Sequence, residues 1–300
     1  MDCIGQLILT EQTCNDSIAW ARDILPMTID GTVLIARNLT QARGRQGRRW
    51  ILAQGQITHT VILKPFDDRR SKPFETQLKA APQGERGLSK TEVEQIKELP
   101  ISAHPEEDQR SVSKDMSGFS CTEQSLAALN MAFTLGLWSL LHKHGATIKW
   151  PNDLYLNNKK LGGMLFENLW HGDALTSIVV AYSLNINNNC IGHEILEPIA
   201  TSLADATGKQ FDLGLMQTEL FASLSQFYAS WKRGEYLEIF RLWRSAQGYL
   251  GKSIKVHNKD GSLLEGIAQD VLPNGDLVLA VATSDRTVVV TFSQVVEVSI

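Results

Sequence analysis

Residues Lys149–Glu167 read KWPNDLYLNNKKLGGMLFE. Two short apolar runs flank Asn157-Asn158, so the stretch predicts two strands joined by a tight turn. Lys149-Trp150-Pro151-Asn152-Asp153 then falls at a strand end, and Lys160-Leu161-Gly162-Gly163 opens the next strand. A hairpin of this kind brings Asp153 near Lys160. A lysine beside a glycine pair suits a centre that holds an attacking carboxylate against an α-phosphate, because its ammonium neutralises charge growing on the pentavalent phosphorus.

Working outward, TEQSLAALNMAFTLGLWSLLHKHG precedes this hairpin and spaces Leu126, Leu129, Phe133, Leu137 and Leu140 along one helical face, with Gly145 as the stop. A strand is expected at 147–150. Downstream, ALTSIVVAYSLNI reads as a central strand after a His171-Gly172-Asp173 turn. Amphipathic helices are expected near Glu194–Ala206 and Gln217–Trp231. A sheet with flanking helices in irregular order is an α+β domain. From Gly251 the pattern changes to SIKV, LEGIAQDV, DLVLAV, TVVVTF and VVEVSI, broken by Asp260-Gly261 and Asn274-Gly275 turns, which predicts a small β-barrel. The expected division is 1–246 and 247–300.

Residues 67–119 interrupt the first domain. They are polar, charge-rich and nearly free of aromatics, a composition that cannot make a core. Ser89 and Glu92 form a capping box for a short helix through Leu99, closed by Pro100.

A second motif lies upstream, at Leu39–Trp50, LTQARGRQGRRW. It concentrates Arg43, Arg45, Arg48 and Arg49 around Gly44 and Gly47 in a chain of 300 residues with formal net charge −4. With no overall field to attract a polyanion, the arginines read as a local grip for a small anion: guanidinium forks reach phosphate oxygens, and glycine lets the backbone approach. The same run equally fits a basic RNA-binding loop. Cys3, Cys14, Cys121 and Cys190 are far apart, with no C-x-x-C pair, and the histidines do not cluster, which speaks against a zinc site and a disulfide framework. The start has no basic segment followed by a long apolar core, and no uninterrupted run of about 18 apolar residues occurs. The expectation is a cytoplasmic protein with no membrane association.

R-G-R-x-G-R-x-W followed by K-W-P-N-D and K-L-G-G closely resembles the biotin protein ligases, the biotin–[acetyl-CoA-carboxylase] ligases, from about Thr10 to Ile300 apart from the insertion. The resemblance implies a mixed-sheet catalytic domain related to lipoate ligases and an SH3-like C-terminal barrel. It also implies two chemical steps: biotin's carboxylate attacks Mg2+-ATP to give biotinyl-5′-AMP and pyrophosphate, and a carrier-protein lysine then takes the biotinyl group and releases AMP. No helix-turn-helix precedes the ligase motifs, so neither a repressor role nor DNA binding is expected.

By the same resemblance Lys160, Arg45 and Asp153 are the catalytic set, with Asp153 orienting Lys160 or assisting the metal. Arg43, Arg45 and Arg48 hold the adenylate phosphate, Trp50 packs beside it and Asn185 meets the adenine. Thr13, Asn15, Leu39, Ala42, Arg43, Gly163 and Ser183 line the biotin pocket. The pocket departs from the family pattern. Thr13-Cys14-Asn15 stands for S-T-N, Leu39 for a glutamine, Ala42 for a glycine, and Ala181-Tyr182-Ser183-Leu184-Asn185 for G-I-G-I-N. Each change costs about 1–3 kcal/mol where a buried ligand group loses its partner. Three alternatives therefore stand beside biotin ligation: a related acyl-adenylate ligase for lipoate or octanoate, a weakly catalytic biotin or nucleotide binder, and a nucleic-acid-binding protein.

Overall fold

A computed structural model describes residues 4–42, 44, 50–64, 121–171, 174–281 and 287–299. The expected insertion at 67–119 with its Ser89–Leu99 helix, the arginines of the 43–49 loop, and Gly172-Asp173 lie outside the described residues.

The chain enters β1 (Ile8–Cys14) and turns into α1 (Ser17–Ile24). Asp16 caps this helix by accepting from the Ile18 and Ala19 amides, which would otherwise lack partners. β2 (Thr32–Leu39) and β3 (Gln56–Leu63) follow. After the undescribed stretch come α2 (Cys121–Leu141), β4 (Thr147–Lys149), β5 (Asp153–Leu156), β6 (Lys159–His171) and β7 (Ala174–Asn185). Seven strands make one sheet in the order β1-β2-β3-β7-β6-β5-β4. β1 and β2 run parallel and every other pair is antiparallel, so the sheet is mixed. The strand expected to be central, β7, occupies the middle position.

The two faces of this sheet are covered unequally. Ile57, Val61, Leu63, Val180, Tyr182 and Leu184 point to one side and join the main core, packed on α2 and on α4 (Leu213–Lys232) and α5 (Tyr236–Ser245). The short α3 (Leu203–Thr207) closes this region. On the other side α1 covers only a small patch, where Ile18 and Ala21 meet Leu34, Ile62, Val179 and Ala181. The rest of that face carries the polar residues described below.

The periodicity of α2 predicts one apolar face, yet Met131–Leu141 is buried on every side. The helix is sandwiched between the sheet and α4, and Gly136 permits the close approach: a Cβ there would lie 2.7 Å from a Leu224 methyl. By length and composition Ser125–His144 could cross a bilayer, but here it is the central helix of a core.

The helix expected over Glu194–Ala206 forms only at Leu203–Thr207. Pro198 has no N–H to give a helix, and the segment after it runs extended beside β6: Lys160 N–H donates to Ile199 O at 2.9 Å and Thr201 N–H to Lys160 O at 3.0 Å. α4 runs beyond the expected Gln217–Trp231 at both ends, capped by Asp212. α5 was not expected at all.

The C-terminal strands are β8 (Ser253–Asn258), β9 (Leu263–Val271), β10 (Leu277–Val281), β11 (Thr287–Val290) and β12 (Val295–Ser299). They form an antiparallel sheet ordered β11-β10-β9-β8-β12, in line with the short alternating runs and glycine turns, and this fits the small SH3-like unit that the resemblance implies. Gly261 and Gly275 take the positive φ values, +84° and +88°, that those turns require. The unit is tied to the seven-stranded sheet and its helices by side-chain contacts. Trp150 Nε1 donates to Gly275 O at 2.7 Å, and Arg244 on α5 makes a two-pronged pair with Asp270 on β9, at 2.6 and 3.0 Å.

Candidate active site

The site is built on the β5–β6 hairpin. Asn157 and Asn158 turn it with φ of 52° and 61°, left-handed values that asparagine tolerates better than most residues. Register then does something the linear sequence conceals. Asp153 faces Gly163, Leu154 faces Gly162, and Tyr155 faces Lys160, so Leu161 is an extra residue on β6. This β-bulge interrupts strict alternation. Leu161 and Leu154 go to the helix-side core, where a Cβ on Gly162 would also meet Leu184, while Lys160 and Gly163, three apart, both face the other side. Without the bulge, Lys160 and Gly163 would point to opposite faces.

On that open face the Lys160 ammonium donates to Asp153 Oδ2 at 2.7 Å, each side chain about 29% exposed. Gly163 lies directly beneath. A Cβ there would come within 2.4 Å of Asp153 Oδ1 and 3.3 Å of Lys160 Nζ. Lys160 Nζ also lies 5.1 Å from the centre of the Trp50 ring, a cation–π distance. Trp50 N–H donates to Ala42 O at 2.9 Å, clasping together the two ends of the arginine loop. The loop therefore leaves and re-enters beside the lysine.

A row of registered residues runs across the sheet from this pair: Thr58 on β3, Ser183 on β7, Gly163 on β6 and Asp153 on β5. Ser183 is buried, and its hydroxyl is 2.7 Å from that of Thr58. One residue pair along on the same face, Thr60, Ala181 and Leu165 lie against α1, with Thr60 donating to Ser17 Oγ at 2.7 Å. On the opposite flank Asn185 is buried. Its oxygen accepts from Gln56 Nε2 at 2.8 Å and Asn188 Nδ2 at 3.3 Å, and its nitrogen donates to Thr201 O at 3.1 Å. The polar row is thus a slot between α1 and the Gln56–Asn185 pair.

Sequence-predicted residues fall into three sets, apart from Asn185, which stands on the Gln56 flank of the row. Asp153, Lys160, Gly163, Trp50 and Ser183 converge on the row or at its end. Thr13, Asn15, Leu39 and Ala42 gather at the ends of β1 and β2, where Thr40 N–H donates to Cys14 O, Gln41 N–H to Asn15 O and Thr40 Oγ1 to Asn15 Oδ1 at 2.9 Å. Arg43, Arg45 and Arg48 lie outside the described residues. Sequence reasoning missed Thr58, Gln56 and the 199–201 segment that brackets Lys160. Only the pairing of β3 with β7 brings Thr58 to the slot, and no local motif marks it. Among the described residues no group of three or more His, Cys, Asp or Glu side chains could hold a metal ion. Asp153 is the one carboxylate in the row.

The model of the biotin/lipoate A/B protein ligase family matches residues 104–185. The bifunctional ligase/repressor BirA of Bacillus spizizenii is 28% identical over 116 residues, which cover 38% of this chain and 36% of that protein. The chain thus matches little more than a third of that relative's length. A biotin–[acetyl-CoA-carboxylase] ligase of Paracoccus denitrificans is 22% identical over 249 residues, 82% of each chain. Among solved structures, a biotin protein ligase from Aquifex aeolicus in complex with biotin and ATP superposes with a TM-score of 0.66 at 18% identity, covering 98% of this chain and 99% of that one.

Proposed function

We propose that this chain, a member of the biotin/lipoate A/B protein ligase family, is an ATP-dependent biotin protein ligase. The observation that carries the reading is the Lys160–Asp153 pair, held over a glycine whose Cβ would displace it and beside the Trp50 ring at the end of the arginine loop.

The chemistry follows from that arrangement. A biotin carboxylate oxygen attacks the α-phosphorus of ATP, a P–O bond forms, and the bond to pyrophosphate breaks. Lys160 sits where it can neutralise charge on the phosphoryl oxygens, and Asp153 fixes the ammonium so that little reorganisation is needed. Trp50 shields the ammonium from water on one side, which strengthens its interactions. In the second step a lysine amine of a carrier protein attacks the acyl carbon of the mixed anhydride. An amide forms, AMP leaves, and the amine's proton is lost. Arg43, Arg45 and Arg48 are assigned to the phosphate because they issue from the loop clasped at Ala42 and Trp50.

Mg2+ enters with the nucleotide in this reading. It is commonly bound through substrate phosphates and one or two carboxylates; Asp153 is the carboxylate at hand, and its pairing with Lys160 leaves the ion to be held chiefly by the phosphates. When bound it would offset phosphate charge. The partner is a biotin carboxyl carrier domain, and the division near residue 246 separates the ligase unit from the barrel.

Incubation with ATP, biotin and a biotin carboxyl carrier domain tests the proposal. Mass spectrometry should show the carrier gaining one biotinyl group, dependent on ATP and accompanied by AMP and pyrophosphate. Pyrophosphate release with lipoate or octanoate in place of biotin, and none with biotin, would select the alternative acid.

A further inference from the structure

Thr58 has no role in the reading above and Ser183 only the pocket place that the resemblance gives it, yet the position of their hydroxyl pair is specific. Both residues face the open side of the sheet in the same registered row as Gly163 and Asp153. Neighbouring strands are about 4.8 Å apart, so the two residues stand roughly 5 and 10 Å along the row from Gly163, where Lys160 and Asp153 meet. An acid whose carboxylate lies at Lys160, and whose chain follows the slot, passes over Ser183 and then Thr58. α1 blocks the parallel row on one flank, and the Gln56–Asn185 pair occupies the other.

The hydroxyls satisfy each other only in part. They carry two protons between them, and their contact at 2.7 Å uses one. One donor and several lone pairs remain for a ligand. A cyclic urea offers the complement, a carbonyl that accepts and N–H groups that donate. A plain alkyl chain offers neither, and it would strip water from the pair with nothing in exchange. A site built to bond a polar group discriminates against analogues that lack it more sharply than an apolar pocket discriminates by size.

We propose that Thr58 and Ser183 form the specificity-determining floor of the acid slot, selecting a carboxylic acid that bears a hydrogen-bonding ring over a simple fatty acid. This deepens the ligase reading and rests on it. It also changes the meaning of Ser183, which stands where the family pattern has glycine. The serine supplies a hydroxyl beside that of Thr58.

The test is acid-dependent pyrophosphate release by the full chain, with biotin and octanoate compared in the wild type, Thr58→Val, Thr58→Ser and Ser183→Ala. Thr58→Val and Ser183→Ala should each raise KM for biotin roughly tenfold, the factor that corresponds to about 1.4 kcal/mol, with KM for octanoate and ATP unchanged. Thr58→Ser, which keeps the hydroxyl, should hold the wild-type KM for biotin. Equal changes for both acids, or unchanged KM for biotin in Thr58→Val and Ser183→Ala, would overturn the floor while leaving the ligase reading intact. A wild type that prefers octanoate would do the same. A wild type that releases pyrophosphate with neither acid would remove the adenylation reading, and the floor with it. Thermal melts of each variant separate misfolding from altered selectivity, and Ser183→Ala carries the test if Thr58→Val fails to fold.

Discussion

Lys160 Nζ lies 2.7 Å from Asp153 Oδ2, although neither residue is the other's partner in the sheet: Lys160 is registered with Tyr155, and Asp153 with Gly163. The bulge at Leu161 closes this diagonal by turning Lys160 onto the face that Asp153 and Gly163 share. The pair is thus assembled by a break in strand regularity, and its partial exposure leaves it open to a ligand.

Lys160→Ala should lower adenylate formation by about a hundred- to a thousandfold, the scale on which removal of one preorganised charge-stabilising group acts. Its melting temperature should move little, because a part-exposed ion pair contributes only about 0–1 kcal/mol. Asp153→Asn should lose less rate, since an amide still contacts the ammonium. Pyrophosphate release and thermal melts on the same samples give both readings, and near-normal release from Lys160→Ala would remove its assigned role.

The two adjacent glycines should fail in different ways. A Cβ at Gly163 meets the Asp153 and Lys160 side chains, whereas one at Gly162 meets the Leu184 side chain and Ser183 O at 2.8 Å. Gly163→Ala should therefore cost activity far more than stability. Gly162→Ala should destabilise by about 1–3 kcal/mol, as overpacking of a core does. Urea midpoints alongside release rates check the contrast, and similar profiles for the two variants would contradict it.

Trp150→Phe should weaken the attachment of the C-terminal unit. Trp150 is buried, and its indole N–H bonds Gly275 O across to the β9–β10 turn. Phenylalanine removes that donor and leaves space, for an expected loss of about 1–3 kcal/mol. Equilibrium urea unfolding measures it. An unchanged midpoint would mean that other contacts hold the two sheets together.

His59 sets a pH dependence of stability. Its ring is buried against Tyr182 and Phe221, with Nδ1 3.1 Å from the Tyr182 hydroxyl, and burial lowers its pKa from 6.5 to about 4. The unfolded chain therefore takes up this proton first as pH falls. The stability from keeping His59 neutral is fully present above about pH 6.5 and is lost progressively down to about pH 4, amounting to roughly 3 kcal/mol. Denaturant titrations at pH 7, 5.5 and 4.5 should show the decline, and His59→Gln should flatten it.

Much of the architecture was legible because it is local. The Asn157-Asn158 and Asn274-Gly275 turns, the central strand β7 and the five alternating C-terminal strands each declare themselves within a dozen residues, through left-handed turn preferences and a period of two. The meeting of Asp153 with Lys160 was legible for the same reason, since a tight hairpin leaves the two little freedom to part. The helix expected over Glu194–Ala206 shows where local reading ends. Its apolar spacing suits a helix, but Pro198 removes a donor, and the backbone of Ile199 and Thr201 finds better partners on Lys160.

By itself the sequence determined the kind and order of most elements from Ser125 onward, and the two motifs that resemble those of the biotin protein ligases. Such properties follow from neighbouring side chains and backbone conformation. Tertiary structure alone decided that Lys160 leaves the core side of its strand, that α2 is buried all round, and that Thr58 stands beside Ser183. Each depends on which strand pairs with which, and in what register. A shift of one residue sends a whole strand's side chains to the opposite face, and the pairing of β3 with β7 joins segments more than a hundred residues apart, which no local pattern encodes.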